Sequence, residues 1–312
     1  MERGGVLTVS EKSNLYIANT TIYEGFAYSG GVAYLAELSQ LVLKEIQIIS
    51  LNAVINLFDC TSSSLTIENS KISQSQTNLF LLISSNFRIE NTTIDNHKCN
   101  TIFQGCLIFA LSESFLVINQ MWATQIVSQT TDNIFVSFGK AIFQNIIMHN
   151  LVSLKMQGSC IGASSSKINM NNAFFSLFYG NCINLYDSQI ELNCSTFENN
   201  IVYGRLIEIK GAFYCLNCMS YSIINTGFRN NMRTGALYLQ QKNTSINQNQ
   251  NYLNAIINCS FTANTADQYG GAIYSQNQMV LIENSTFEKN QAKNGGAIFI
   301  FIDGNHIYTL FL

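Results

Sequence analysis

A frame of apolar and polar residues recurs along the chain at intervals of 22 to 33 residues. A repeat of that length confines the fold to architectures in which one small unit stacks on the next. The clearest pair is Val280-Leu281-Ile282-Glu283-Asn284-Ser285-Thr286-Phe287 and, 26 residues earlier, Asn254-Ala255-Ile256-Ile257-Asn258-Cys259-Ser260-Phe261. Eleven copies follow when each is anchored on its first residue: Leu15, Leu41, Leu65, Phe87, Phe115, Ala141, Ile168, Ile190, Tyr221, Asn254 and Val280. The residue two places on is apolar in every copy, from Ile17 through Val117 to Ile282. The residue seven places on is also apolar throughout, from Ile22 through Trp122 to Phe287. In a chain 47% apolar, 22 matches in 22 positions would arise by chance roughly once in ten million trials for a fixed register.

Side chains alternate across a strand, so the first and third residues of a copy share a face. Each copy therefore opens with a short strand facing inward. Four places after the start stands asparagine in nine copies: Asn19, Asn69, Asn91, Asn119, Asn145, Asn172, Asn225, Asn258 and Asn284, with Glu45 and Cys194 as exceptions. Asparagine tolerates left-handed backbone geometry, which suits a bend between two strands. Stacked on successive coils, these amides are expected to form a buried structural ladder. A glycine-led strand comes later, marked by Gly30 and Gly31, Gly235, Gly270 and Gly271, and Gly295 and Gly296. Three short strands per copy, each pairing in parallel with its counterparts, make a coil of a β-helix. A leucine-rich repeat has a similar period, but its leucine consensus and helical side are missing. The expectation is an all-β solenoid, a parallel β-helix of about eleven coils, filling 1–312 as a single domain with repeats from about 13 to 302.

Charged residues make up only 11% of the chain and proline is absent. The surface must therefore be covered by neutral amides and hydroxyls. The net charge is −3 and the 16 basic residues are scattered, which does not suit a phosphate backbone, so no nucleic-acid partner is expected. No window carries the apolar run of a membrane-spanning helix. The N-terminus lacks the layout of an export signal, and the last coil runs into Ile300, Phe301 and Ile302 without an amphipathic cap. A fragment of a longer protein is the expectation.

The last two copies pair Phe261-Thr262-Ala263-Asn264 with Gly270-Gly271-Ala272-Ile273, and Phe287-Glu288-Lys289-Asn290 with Gly295-Gly296-Ala297-Ile298. These resemble the FxxN and GGAI motifs of polymorphic outer membrane protein repeats, and similar repeats occur in large ciliate surface proteins. Phe197-Glu198-Asn199-Asn200 and Phe228-Arg229-Asn230-Asn231 keep the first motif. The resemblance implies a right-handed β-helix of pectin-lyase type, displayed at the cell surface or outside the cell. It implies a non-enzymatic scaffold or adhesion module, with carbohydrate or a cell-surface protein as partner.

The alternative is a polysaccharide lyase, a glycoside hydrolase or a carbohydrate-binding module. Glycoside hydrolysis generally needs two carboxylates a few ångströms apart. None of the six aspartates, Asp59, Asp95, Asp132, Asp187, Asp267 and Asp303, neighbours another carboxylate in sequence. No catalytic residue is assigned, although carboxylates can still converge by stacking. Glu68, Glu90 and Glu283 share one outward position and read as a solvated face. Nine cysteines are irregularly spaced, with one close pair at Cys215 and Cys218. A zinc site would need a second pair or histidines at ligand spacing, so neither a metal nor a cofactor is expected. His97, beside Lys98 and Cys99, is taken as a loop residue. Four of the six glycosylation sequons, at Asn19, Asn91, Asn258 and Asn284, occupy the bend and are assigned to structure. Asn243, in a polar insertion, is the candidate for a glycan.

Overall fold

The computed structural model describes residues 5–24, 26–27, 30–53, 55–99, 105–128, 132–153, 158–201, 211–242, 254–278 and 280–301. Among these the chain is all β, without a helix, and its parallel strands stack as a β-solenoid of about ten turns. It divides into two compact units, 1–162 and 163–312. Asn243 lies outside the described residues.

In the first unit the opening strands are Asn14–Ala18, Gln40–Lys44, Ser64–Glu68, the starts of Asn86–Cys99 and Phe115–Ser128, and Lys140–Gln144. They pair in parallel, so that Ile17, Leu43, Ile67, Ile89, Ile118 and Phe143 form one column. After the bend, a second strand contributes Ile22, Ile48, Ile72, Ile94, Ala123 and Met148. A third strand contributes Val9, Leu35, Cys60, Leu82, Ala110 and Val136. Parallel pairing forces this order: equivalent residues of successive coils lie about 4.8 Å apart, so like side chains meet in the core.

One coil departs from the expected register. Phe87 lies opposite Leu116, not Phe115, and Ile94 lies opposite Ala123, not Trp122. A shift of one residue exchanges the two faces of a strand. Phe115 and Trp122 are accordingly exposed, while Leu116, Ile118 and Ala123 are fully buried. The physical reason is local: Phe115-Leu116-Val117-Ile118 is apolar on both faces, so alternation there does not choose the inward set.

In the second unit the opening strands are Lys167–Asn171, Gln189–Asn193, Ser220–Ile224, Ala255–Ile257 and Leu281–Glu283. The second strands carry a spine of stacked rings. Centroids lie 4.8 Å apart for Phe175 and Phe197, 4.9 Å for Phe197 and Phe228, 5.0 Å for Phe228 and Phe261, and 4.9 Å for Phe261 and Phe287. Pairs of this kind contribute about 0.5–1.5 kcal/mol each beyond their burial.

The asparagines four places after each start turn the chain with positive φ, from 45° at Asn91 to 54° at Asn172. Asn119 is the exception, because Gln120 takes its bend with φ 54°. Amide bonds join neighbours: Asn91 Nδ2 donates to Asn69 Oδ1 at 2.8 Å, and Asn258 Nδ2 to Asn225 Oδ1 at 3.3 Å. These amides are not buried as expected. Asn19, Asn69, Asn91, Asn145, Asn172, Asn225, Asn258 and Asn284 are exposed, and Asn119 is half-buried. A left-handed residue on the outside of a bend aims its side chain at solvent.

The buried ladder is a different column, Asn200, Asn231 and Asn264, each fully buried, with Asn290 at its edge. Asn264 Nδ2 donates to Phe228 O at 2.9 Å and to Asn290 Oδ1 at 3.0 Å, and its own Oδ1 accepts from Asn231 N at 3.1 Å and Asn231 Nδ2 at 2.9 Å. These are the asparagines that close the FxxN motif. Hydroxyls serve the other corners in the same way. Ser195 Oγ donates to Asn193 O at 2.9 Å and accepts from Ala173 N at 3.1 Å, and Ser63 N donates to Ser85 Oγ at 3.3 Å. Each corner thus satisfies the backbone groups that turning removes from the strand ladders.

Glycine is required where the third strand begins. Gly30, Gly235, Gly270 and Gly295 have φ of 62°, 79°, 59° and 60°. At Gly270 a Cβ would also run into the Ile273 carbonyl. Gly271 needs its missing side chain for another reason, since a Cβ there would strike the backbone of Gln291 and Gly296 in the next coil.

Candidate functional site

The outward faces of the first and second strands carry the groups available for chemistry. In the first unit, Lys44, Glu68, Glu90 and Asn119 form one outward column in register. Glu68 and Glu90, 22 residues apart in sequence, stand opposite each other on adjacent strands. Adjacent strands lie about 4.8 Å apart, so the two side chains leave the wall from neighbouring positions. Arg88 grips Glu90 with Nε at 3.2 Å and Nη2 at 2.6 Å. That hydrogen bond, with the charges of Glu90 and Glu68, raises the Arg88 guanidinium above its ordinary pKa. On the second strands Lys71 Nζ reaches Asp95 Oδ2 at 3.1 Å. Glu283, which holds the same outward position in the repeat, lies in the second unit opposite Ile257.

In the second unit a shallow groove of about 380 Å³ opens on the outer face of the second strands. It follows from the sequence of one column, Thr196, Gly227, Ser260 and Thr286, in which glycine leaves a notch between hydroxyl-bearing neighbours. Asn225, Arg229, Ser260, Thr262 and the exposed thiol of Cys194 line it. Alongside runs an amide row, in which Asn193 Nδ2 donates to Asn171 Oδ1 at 3.4 Å and Asn225 Nδ2 to Asn193 Oδ1 at 3.1 Å. One cation, the amide of Asn225 with its row of neighbours, and several hydroxyls, with donors and acceptors interleaved, suit a ligand rich in hydroxyl groups.

Third strands of this unit add an outward row of rings. Tyr214 and Tyr238 stack at 5.4 Å and Tyr238 and Tyr274 at 4.4 Å, all nearly buried. Burial raises the Tyr238 and Tyr274 hydroxyls above the usual phenol range.

The cysteines are mostly interior. Cys60, Cys160, Cys182 and Cys259 are buried thiols, and Cys99–Cys106 and Cys215–Cys218 are joined as disulfides. Burial holds the Cys60 thiol well above its ordinary pKa, which removes it from nucleophilic chemistry. His97 is not a loop residue. It belongs to the strand Asn86–Cys99, is 1% exposed, and places Nε2 3.4 Å from Cys99 Sγ. Burial lowers its pKa to about 4. Sequence reading missed this cluster because Lys98, between His97 and Cys99, points outward and makes the segment look solvated.

The stacked coils and their corners define a parallel β-helix. Residues 258–276 and 284–300 match the Chlamydia polymorphic membrane protein (Chlamydia_PMP) repeat. No curated protein matches the chain. Among solved structures, it resembles the catalytic domain of a GH87 alpha-1,3-glucanase in complex with tetrasaccharides, with TM-score 0.51 and 12% identity, over 95% of this chain and 60% of that one. The same domain in complex with nigerose gives TM-score 0.44 at 12% identity, with 95% and 60% covered. The Dettilon tailspike protein gives 0.38 at 10%, with 95% and 62% covered. At these identities the likeness is one of fold, and the chain spans about 60% of the length of the glucanase domain.

The glucanase likeness corrects the expectation of a scaffold that is not an enzyme: the same architecture is found in the catalytic domain of that alpha-1,3-glucanase, and in this chain the register sets Glu68 opposite Glu90. Among the described residues no helix is long and apolar enough to cross a membrane.

Proposed function

We propose that the chain is a surface-exposed or extracellular β-helix that engages polysaccharide along the outward faces of its first and second strands. The observation that carries this reading is the Gly227 groove, in which Arg229, Asn225, Ser260 and Thr262 present interleaved donors and acceptors. Sugars offer the complementary hydroxyls, and a groove on a repeating wall suits an extended chain. The glucanase-like fold and the surface-protein repeat support the reading by analogy. Binding of the intact chain to a panel of neutral and acidic polysaccharides tests it. Arg229→Ala and Gly227→Gln should each weaken binding at least tenfold, and a wild-type chain that retains no polysaccharide would refute it.

A second reading rests on the Glu68–Glu90 stack: hydrolysis of the bound polysaccharide by that pair. New reducing ends should then appear with the wild-type chain and vanish with Glu68→Gln or Glu90→Gln while binding persists. Equal turnover by both variants would exclude the pair.

A further inference from the structure

We propose that His97, Cys99 and Cys106 form a zinc site that is exclusive with the Cys99–Cys106 disulfide: the reduced chain holds the ion, and the oxidised chain holds the bond. The potential ligand atoms of these three residues lie within 4.8 Å of one another, and all three residues are buried, at 1%, 0% and 0% exposure. Two of them, His97 and Cys99, are two apart on one strand and so face the same way. A buried imidazole normally has both ring nitrogens partnered. Nδ1 of His97 has no hydrogen-bond partner among the described residues, while Nε2 lies 3.4 Å from Cys99 Sγ.

Charge selects the ion. Two thiolates, one neutral imidazole and Zn²⁺ sum to zero, which a dry core tolerates, whereas Cu(I) in the same shell would leave a net negative charge buried. Sulfur and nitrogen donors also match zinc, which takes Zn–S of about 2.3 Å and Zn–N of about 2.0–2.1 Å. Two sulfurs about that far from one ion stand roughly 3.8 Å apart, so the cysteines must part from their bonded positions. Cα atoms 5.7 Å apart leave that to side-chain rotation. Three protein ligands leave one coordination position open.

The chemistry balances in two steps. Two equivalents of a small-molecule thiol reduce the disulfide, together giving up two electrons and two protons and joining as one disulfide, and Cys99 and Cys106 become thiols. Zinc then displaces one proton from each thiol, forming two Zn–S bonds and releasing two protons to solvent. Cys215 and Cys218, three residues apart and, among the described residues, without a histidine in such a group, provide the internal comparison.

The test uses the full chain, reduced under native conditions, stripped of metal and titrated with Zn²⁺ against a chromophoric chelator, with Co²⁺ as a spectroscopic stand-in. One equivalent should bind, with thiolate-to-cobalt charge transfer. X-ray absorption of the wild-type zinc form should show two sulfur neighbours and an imidazole. Cys99→Ser and Cys106→Ser should each abolish binding, His97→Gln should weaken it at least tenfold, and the double variant Cys215→Ser with Cys218→Ser should leave it unchanged. A reduced, folded wild-type chain that binds no zinc would overturn the proposal, as would a site lost in the Cys215 and Cys218 variant, or equal binding by the chain with Cys99–Cys106 oxidised. The absorption measurement needs no variant, so misfolding of a substituted chain leaves the test decisive.

Discussion

Replacing Asn264 by alanine removes one rung of the buried amide ladder and isolates its contribution. Asn264 is fully buried, and its side chain satisfies two backbone groups, the Phe228 carbonyl at 2.9 Å and the Asn231 N–H at 3.1 Å. Its amide bonds to Asn231 and Asn290 are lost as well, but those partners keep others: Asn231 Nδ2 still donates to Phe197 O at 3.1 Å, and Asn290 Oδ1 still accepts from Asn264 N at 3.0 Å. Two backbone groups are therefore left unpaired in a dry corner. At about 1–3 kcal/mol each, Asn264→Ala should destabilise the chain by about 4 kcal/mol. Asn264 is not among the residues with positive φ, so backbone strain does not contribute. Asn225→Gly is the control. It removes an exposed rung while keeping the left-handed bend at φ 50°, and should cost less than about 1 kcal/mol because water replaces the amide. Urea unfolding of both variants gives the difference, and hydrogen exchange localises it, since the Asn231 amide should lose protection only in Asn264→Ala. Equal costs for the two substitutions would refute the assignment of the buried ladder.

Phe228 stacks at 4.9 Å on Phe197 and at 5.0 Å on Phe261, so Phe228→Ala should cost about 3–5 kcal/mol in urea unfolding, and Phe228→Leu clearly less. Gly270→Ala combines positive φ with a collision at the Ile273 carbonyl and should cost at least about 2 kcal/mol. Gly296→Ala places its Cβ an ordinary 3.4 Å from Asn290 O and should be nearly neutral in thermal melts. Trp122→Ser, on the outer face, should change stability by less than about 1 kcal/mol, while Ala123→Asp, in the core, should prevent native folding as judged by circular dichroism. The reverse order would restore the register with Trp122 inside.

Much of the architecture was legible because a parallel solenoid writes its core into the chain as a period. Columns such as Ile67 and Ile89, or Phe228 and Phe261, are adjacent in space because they hold the same place in successive copies. The site was less legible. Glu68 and Glu90 share an outward position on successive copies, which already places them on adjacent coils, but the repeat alone does not show that Arg88 holds Glu90 there. The Gly227 groove had no signal beyond one small residue in a column of hydroxyls. The buried ladder had a signal, the asparagine of FxxN, but the more regular asparagine column at the bend drew attention from it.

The sequence by itself determined the all-β class, the repeat and the inward columns, because burial on a pleated strand imposes alternation and stacking imposes recurrence. Tertiary structure decided which asparagines are buried, because two amides of equal chemistry differ only in whether their backbone turns the side chain into the core or out of it. It also decided the register at Phe115 and Leu116, where a strand apolar on both faces left alternation without a preference until the neighbouring coils supplied one. And it decided the meeting of His97, Cys99 and Cys106, whose ligand atoms lie within 4.8 Å of one another although no spacing rule announces it.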